Sequence, residues 1–120
     1  MAKVLLVSYV RELLDERDHV LRGAGHSTTL ASNSAEAFQA VQEQDFDIAV
    51  LGFSIPNEER KELARAIKEA NTNTKIIMIY FDSMKDTELA DVLLKTSAGA
   101  DSILRAVNHI LNMVDQSRTG

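Results

Sequence analysis

Short apolar runs alternate along this chain with segments of helical periodicity, and that alternation limits the fold more than any other feature. "KVLLV" (3–7) is apolar and rich in β-branched residues, the type of strand buried on both faces of a parallel sheet. "STTLA" (27–31), "DIAVLG" (47–52) and "KIIMIY" (75–80) repeat the theme. Between them, Leu13, Leu14, Val20, Leu21 and Ala24 fall on one helical stripe, and Gly23 and Gly25 can end that helix. Asn33 can cap a second helix, with Glu36 three residues on as in a capping box, and Ala37, Phe38 and Val41 line its apolar side. "EERKELARAIKEA" (58–70) predicts a third, with Leu63, Ala66, Ile67 and Ala70 facing inward. Strands and helices alternating at this spacing give an α/β protein. Its parallel sheet is covered on both faces, because each crossover is a right-handed βαβ unit. In such folds chemistry sits outside the carboxyl ends of the strands.

With 120 residues the chain is one domain with one core. The frame places that domain at residues 1–115 and reads 116–120, "QSRTG", as a frayed tail or linker stub. There is no cysteine, which excludes disulfide and thiolate chemistry and fits a reducing, cytoplasmic setting. A net charge of −5 argues against a broad nucleic-acid footprint, and no apolar run is long enough to predict a membrane helix. His19, His26 and His109 show no metal-ligand spacing; His26 sits in a turn and the other two are expected on exposed helix faces. Glu58, Glu59, Arg60, Lys61 and Glu62 read as the solvated start of a helix, with acids near its positive end. No P-loop, dinucleotide glycine fingerprint or nucleophile elbow is present, so the expectation is a protein that is not an enzyme and carries no cofactor.

Beyond Tyr80 two registers compete. In one, "MKDTELADVLLKTS" is a long fourth helix and "SIL" (102–104) a very short fifth strand. In the other, only Ser83 to about Leu89 is helical, "DVLLK" (91–95) is the fifth strand, and the last helix starts near Asp101. Periodicity favours the second. Ile103, Leu104, Val107, Ile110, Leu111 and Val114 form an unbroken helical stripe that a strand at Leu104 would interrupt.

The chain resembles the receiver domain of bacterial response regulators, the chemotaxis-regulator-like family, over nearly its whole length. The rhythm from "KVLLV" to "GFSIP", the "AGH" turn, the "ASNSAEA" helix entry and the "DFDIAVL" strand approach carry the resemblance. Pro56 stands four residues after Gly52, as a proline follows the family's phosphorylated aspartate. "VLLKTSA" resembles the fifth-strand ending of the subgroup with a helix-turn-helix output domain, which supports the second register. The resemblance implies a single-domain, flavodoxin-like (βα)5 fold with a five-stranded parallel sheet and a short fourth helix.

Receiver chemistry needs an aspartate ending the third strand to take a phosphoryl group. An acidic pair after the first strand holds Mg²⁺, and a hydroxyl and a lysine bind the phosphoryl oxygens. Against that pattern, the acidic pair reads Ser8 and Tyr9, the acceptor Gly52, and the hydroxyl Tyr80. The lysine survives as Lys95 in the second register; in the first, Ala106 stands there. Glycine cannot be phosphorylated, and neutral Ser8 and Ser54 make weak metal ligands, so no metal is expected. Asp47 lies at the wrong end of its strand, while Asp82 follows the fourth strand.

The expectation is therefore a pseudo-receiver with a vestigial pocket of Ser8, Tyr9, Gly52, Tyr80 and Lys95. It would serve as a phosphate-independent interaction module in two-component-type signalling. The family's docking surface is the fourth helix, fifth strand and fifth helix. On the last helix Arg105, Asn108, His109 and Asn112 lie off the apolar stripe, ready for a protein partner or a second copy. One rival is an anion- or small-molecule-sensing domain with Tyr9, Tyr80 and Lys95 around a pocket at the strand ends. Another is residual phosphotransfer through Asp82. For Lys95 a solvated strand-end lysine is the bland alternative, and for Tyr80 a rim tyrosine with a wet hydroxyl.

Overall fold

The computed structural model describes residues 2–80, 88–97 and 99–119, with side chains as far as Met113. The described elements run β1 (Lys3–Val7), α1 (Arg11–Gly23), β2 (Ser27–Ala31), α2 (Ser34–Glu43), β3 (Ile48–Leu51), α3 (Asn57–Ala70), β4 (Lys75–Tyr80), β5 (Val92–Lys95) and α4 (Ala100–Thr119). The strands form one five-stranded sheet in the order β2-β1-β3-β4-β5, every pair parallel. The helix expected over Ser83–Leu89 falls largely on residues 81–87, outside the described residues; Glu88 and Leu89 form a turn. β5 and the start of α4 decide between the two registers. Leu104 is helical, and Val92–Lys95 pairs with β4 as Ile77↔Val92 through Tyr80↔Lys95.

Alternate strand residues serve opposite faces of the sheet. Leu5, Val7, Ala49, Leu51, Ile76 and Met78 pack with Ala37 and Ala40 of α2 and with Leu63, Ala64 and Ile67 of α3. Val4, Leu6, Ile48, Val50, Ile77 and Ile79 pack with Leu14 and Leu21 of α1 and with Ile103, Val107 and Ile110 of α4. Polar ties close the amino-terminal edge. Asp47 accepts from the Lys3 amide at 2.8 Å, and Asp91 accepts from the Ile76 amide at 2.8 Å and from Lys68 Nζ at 2.9 Å.

The inward faces of two helices differ from the apolar stripes read in the sequence. On α1 the buried residues are Leu14, Arg17 and Leu21; Leu13 and Val20 are half-buried and Ala24 is exposed. Ala24 lies past the helix end, just before Gly25 turns the chain at φ 92°. On α3 the buried residues are Arg60, Leu63, Ala64 and Ile67, while Ala70 is exposed. The faces are set by the i, i+3, i+7 rows that meet the sheet, and on both helices an arginine occupies one place in that row. Arg60 is thus not part of a solvated run. It is fully buried, donating from Nη2 to Asn57 Oδ1 at 2.8 Å and from Nη1 to the Ile55 carbonyl at 3.4 Å. Asn33 caps α2 as expected, accepting from the Glu36 amide at 2.8 Å, but the Glu36 carboxylate reaches back to Ser32 rather than to the cap's own amide.

Candidate functional site

The strand order reverses between β1 and β3, and a crevice at such a switch point opens outside their carboxyl ends. Ser8 and Gly52 are the first residues beyond those two strands, so sheet topology alone brings them together. Both lie on the α1/α4 side, two residues on from Leu6 and Val50.

Ser8 is 1% exposed. Its amide donates to the Ala31 carbonyl at 3.2 Å, continuing the β1–β2 ladder, and its Oγ accepts from the Val10 amide at 3.1 Å. This local turn swings the chain into α1 without a side-chain cap on the helix. Tyr9 leans the other way. Its amide donates to Ser54 Oγ at 2.9 Å, and its hydroxyl donates to Glu59 Oε1 at 2.6 Å while accepting from the Ser34 amide at 3.3 Å. One tyrosine so ties the β1 loop to the amino ends of α2 and α3.

Gly52 is buried, its amide bonded to the Val7 carbonyl at 2.9 Å. A Cβ placed on it would lie 3.0 Å from Val7 O, 3.2 Å from Arg17 Nη1 and 3.4 Å from Ser8 Cβ. Arg17 comes from the middle of α1, is 6% exposed, and brings its guanidinium to the tip of β3. Its aliphatic stem lies in the row between Leu14 and Leu21, the usual way a long cation crosses an apolar face. Burial pushes the Arg17 guanidinium below its ordinary pKa, against an upward pull from Glu16.

Tyr80 and Lys95 end β4 and β5 and are register partners, with Tyr80 half-buried and Lys95 exposed. β1 and β5 are separated by β3 and β4, which puts their tips ~14 Å apart at ordinary strand spacing. Tyr9, held on Glu59 and Ser34, therefore does not close one small pocket with Tyr80 and Lys95. Asp82 lies outside the described residues. Arg105, Asn108, His109 and Asn112 are all exposed on α4. Asn108 is tied down on one flank, its Oδ1 3.3 Å from His26 Nε2. His26 is not a free turn residue: it is 9% exposed, and its Nδ1 accepts from the Ala2 amide at 3.2 Å. Among the described residues no group of three or more His, Asp or Glu side chains could hold a metal ion. Among them no helix is long and apolar enough to cross a membrane.

Arg17 is the residue that pattern reading missed. It stands three after Leu14 and four before Leu21, inside an apolar row, and a charge in such a place was the available signal.

The arrangement is a doubly wound α/β domain with Ser8, Gly52 and the Arg17 guanidinium gathered at its switch point. No protein-family model matches the sequence, and no curated protein matches it. Its structural relatives are nonetheless clear. A CheY-like response regulator receiver domain from Methanospirillum hungatei superposes with a TM-score of 0.85 at 19% identity, covering 100% of this chain and 99% of that one. A receiver domain from Clostridium thermocellum gives 0.83 at 20% identity, covering 97% and 98%. The Thermotoga maritima response regulator TrrA, solved with Mg²⁺ and beryllofluoride, gives 0.78 at 21% identity, covering 92% and 99%. The chain has the fold of response-regulator receiver domains.

Proposed function

We propose that this chain is a non-phosphorylatable receiver domain acting in two-component-type signalling, in the cytoplasm, as a phosphate-independent protein-interaction module and not as an enzyme. The tip of β3 carries this reading. The residue there is Gly52, which offers no carboxylate, and Arg17 Nη1 lies 3.2 Å from where a side chain would begin. Ser8 and Tyr9 supply no anionic ligand for Mg²⁺, and their polar atoms are engaged in holding loops.

The interaction role draws support from the opposite edge of the sheet. β5 is an edge strand, and Leu93 on it is 46% exposed, with Leu89 at 38% just before it. Met113 on α4 is 55% exposed, on the flank away from Asn108. An apolar edge strand invites pairing with another chain. The contact expected is self-association or partner docking across β5 and α4. Sedimentation velocity over a concentration series tests it, with and without Mg²⁺ and beryllofluoride. The expected result is association that the phosphoryl analogue leaves unchanged and that Leu93→Lys weakens at least tenfold. Association that appears only with the analogue would overturn the reading.

A further inference from the structure

We propose that the crevice at the tips of β1 and β3 binds a small oxyanion without metal and without covalent attachment, with Arg17 as its anchor. This goes beyond the interaction role and does not depend on it. Arg17 is more than nine-tenths buried, yet among the described residues its guanidinium makes no hydrogen bond and no ion pair. A guanidinium is a planar fork of donors that fits phosphate or sulfate oxygens in pairs. Burying one without a partner carries a cost that an anion would relieve.

The rest of the crevice suits an anion. Gly52 adds no negative charge, and Arg17 Nη1 lies 3.2 Å from where its Cβ would be. Ser54 Oγ accepts from the Tyr9 amide and turns its own hydrogen toward Ser8 Oγ, and the Ser54 amide has no intramolecular acceptor among the described residues. Ser8 Oγ lies 3.4 Å from Ser54 Oγ and donates to the Val10 carbonyl at 3.3 Å, so an arriving anion would draw the Ser54 hydrogen away from Ser8. A crevice with acidic residues at these places would attract a cation; with Ser8, Gly52 and Arg17 it attracts an anion.

The test is an amide and arginine side-chain NMR titration of the whole chain at fixed ionic strength, with chloride as the balancing anion. Inorganic phosphate and sulfate probe a free oxyanion, and adenosine monophosphate probes a phosphomonoester. The expected result is saturable shifts at Gly52, Ser54 and the Arg17 side chain, unaffected by a chelator. Binding should weaken at least tenfold in Arg17→Gln and be partly kept in Arg17→Lys. Tighter binding of phosphate than of the monophosphate assigns a free ion, and the reverse assigns a phosphorylated molecule; either supports the site. Should Arg17→Gln fail to fold, Gly52→Asp decides. Its carboxylate would sit against the guanidinium as an internal anion, and phosphate binding should be lost. Absence of saturable shifts, shifts that require Mg²⁺, or binding unchanged in Gly52→Asp would overturn the proposal.

Discussion

Adding one methyl group at Gly52 measures how full the crevice is. The Cβ of Gly52→Ala would stand 3.0 Å from Val7 O, closer than an ordinary contact. That oxygen cannot retreat cheaply, because it accepts the Gly52 amide at 2.9 Å inside the sheet. Arg17 Nη1, at 3.2 Å, is the end of a flexible side chain and can give way. Overpacking a tight site costs ~1–3 kcal/mol. Against it, Gly52 has no positive φ, so alanine fits the backbone, and the stiffer unfolded chain returns ~0.4–1 kcal/mol. The net expectation is a loss of about 1 kcal/mol, or roughly 4 °C in Tm. Urea unfolding followed by far-ultraviolet circular dichroism reads it as a lower midpoint with an unchanged slope. Repeating the measurement on Arg17→Met and on the double variant apportions the clash. Since the backbone oxygen is nearer and stiffer, the coupling should be no more than about 0.5 kcal/mol. A Gly52→Ala protein as stable as the parent, or more so, would refute this account of the crevice.

Three further expectations concern the frame around the site. Glu36 accepts from the Ser32 amide and hydroxyl, bonds that hold its carboxyl below the ordinary value of 4.5. A carboxyl depressed in the folded state adds stability above its unfolded pKa, and that stability fades as pH falls through the folded one; Glu36→Gln should flatten this acid limb of a stability–pH curve. His26→Ala removes the acceptor of the Ala2 amide and the partner of Asn108, and should cost about 1–3 kcal/mol, with Asn108→Ala costing less because that residue is exposed. Arg60→Ala empties a fully buried volume and strips the Ile55 carbonyl and Asn57 of a donor, so a loss of about 3 kcal/mol in urea unfolding is expected.

The strands were the most legible part of the chain because their signal is local. β1, β2 and β4 fall on "KVLLV", "STTLA" and "KIIMIY" without shift. The position of β5 was readable from the apolar row of α4 that a strand at Leu104 would have broken, and from the "VLLKTSA" ending. Strand tips were legible too, since topology places Ser8 and Gly52 together whatever their side chains do. What pattern reading could not supply was the reach of long cations. Arg17 went unread and Arg60 was placed in a solvated charge run, whereas their stems complete apolar rows and only their ends need polar company. His26 escaped for another reason: its partners, Ala2 and Asn108, are far away in sequence and meet only after the sheet and α4 have assembled.

Arg17 also gives the crevice a thermodynamic signature that separates a binding site from a mere packing element. A guanidinium buried without an anion is a liability in the folded state, as its lowered pKa reflects. Arg17→Met keeps the apolar stem volume between Leu14 and Leu21 and removes that liability. In anion-free buffer the variant should therefore match the parent or exceed it by up to about 1–4 kcal/mol, as buried ionic groups replaced by methionine often do. Saturating phosphate should then raise the parent alone, by about 2.7 kcal/mol at a hundred times Kd, through mass action on the folded state. The two stability curves must approach or cross as phosphate increases at constant ionic strength. If Arg17 served only to fill space, methionine would shift stability by the same amount in both buffers and the curves would stay parallel. The slope of that difference against phosphate concentration, rather than the sign of either stability change alone, decides whether the crevice has a ligand.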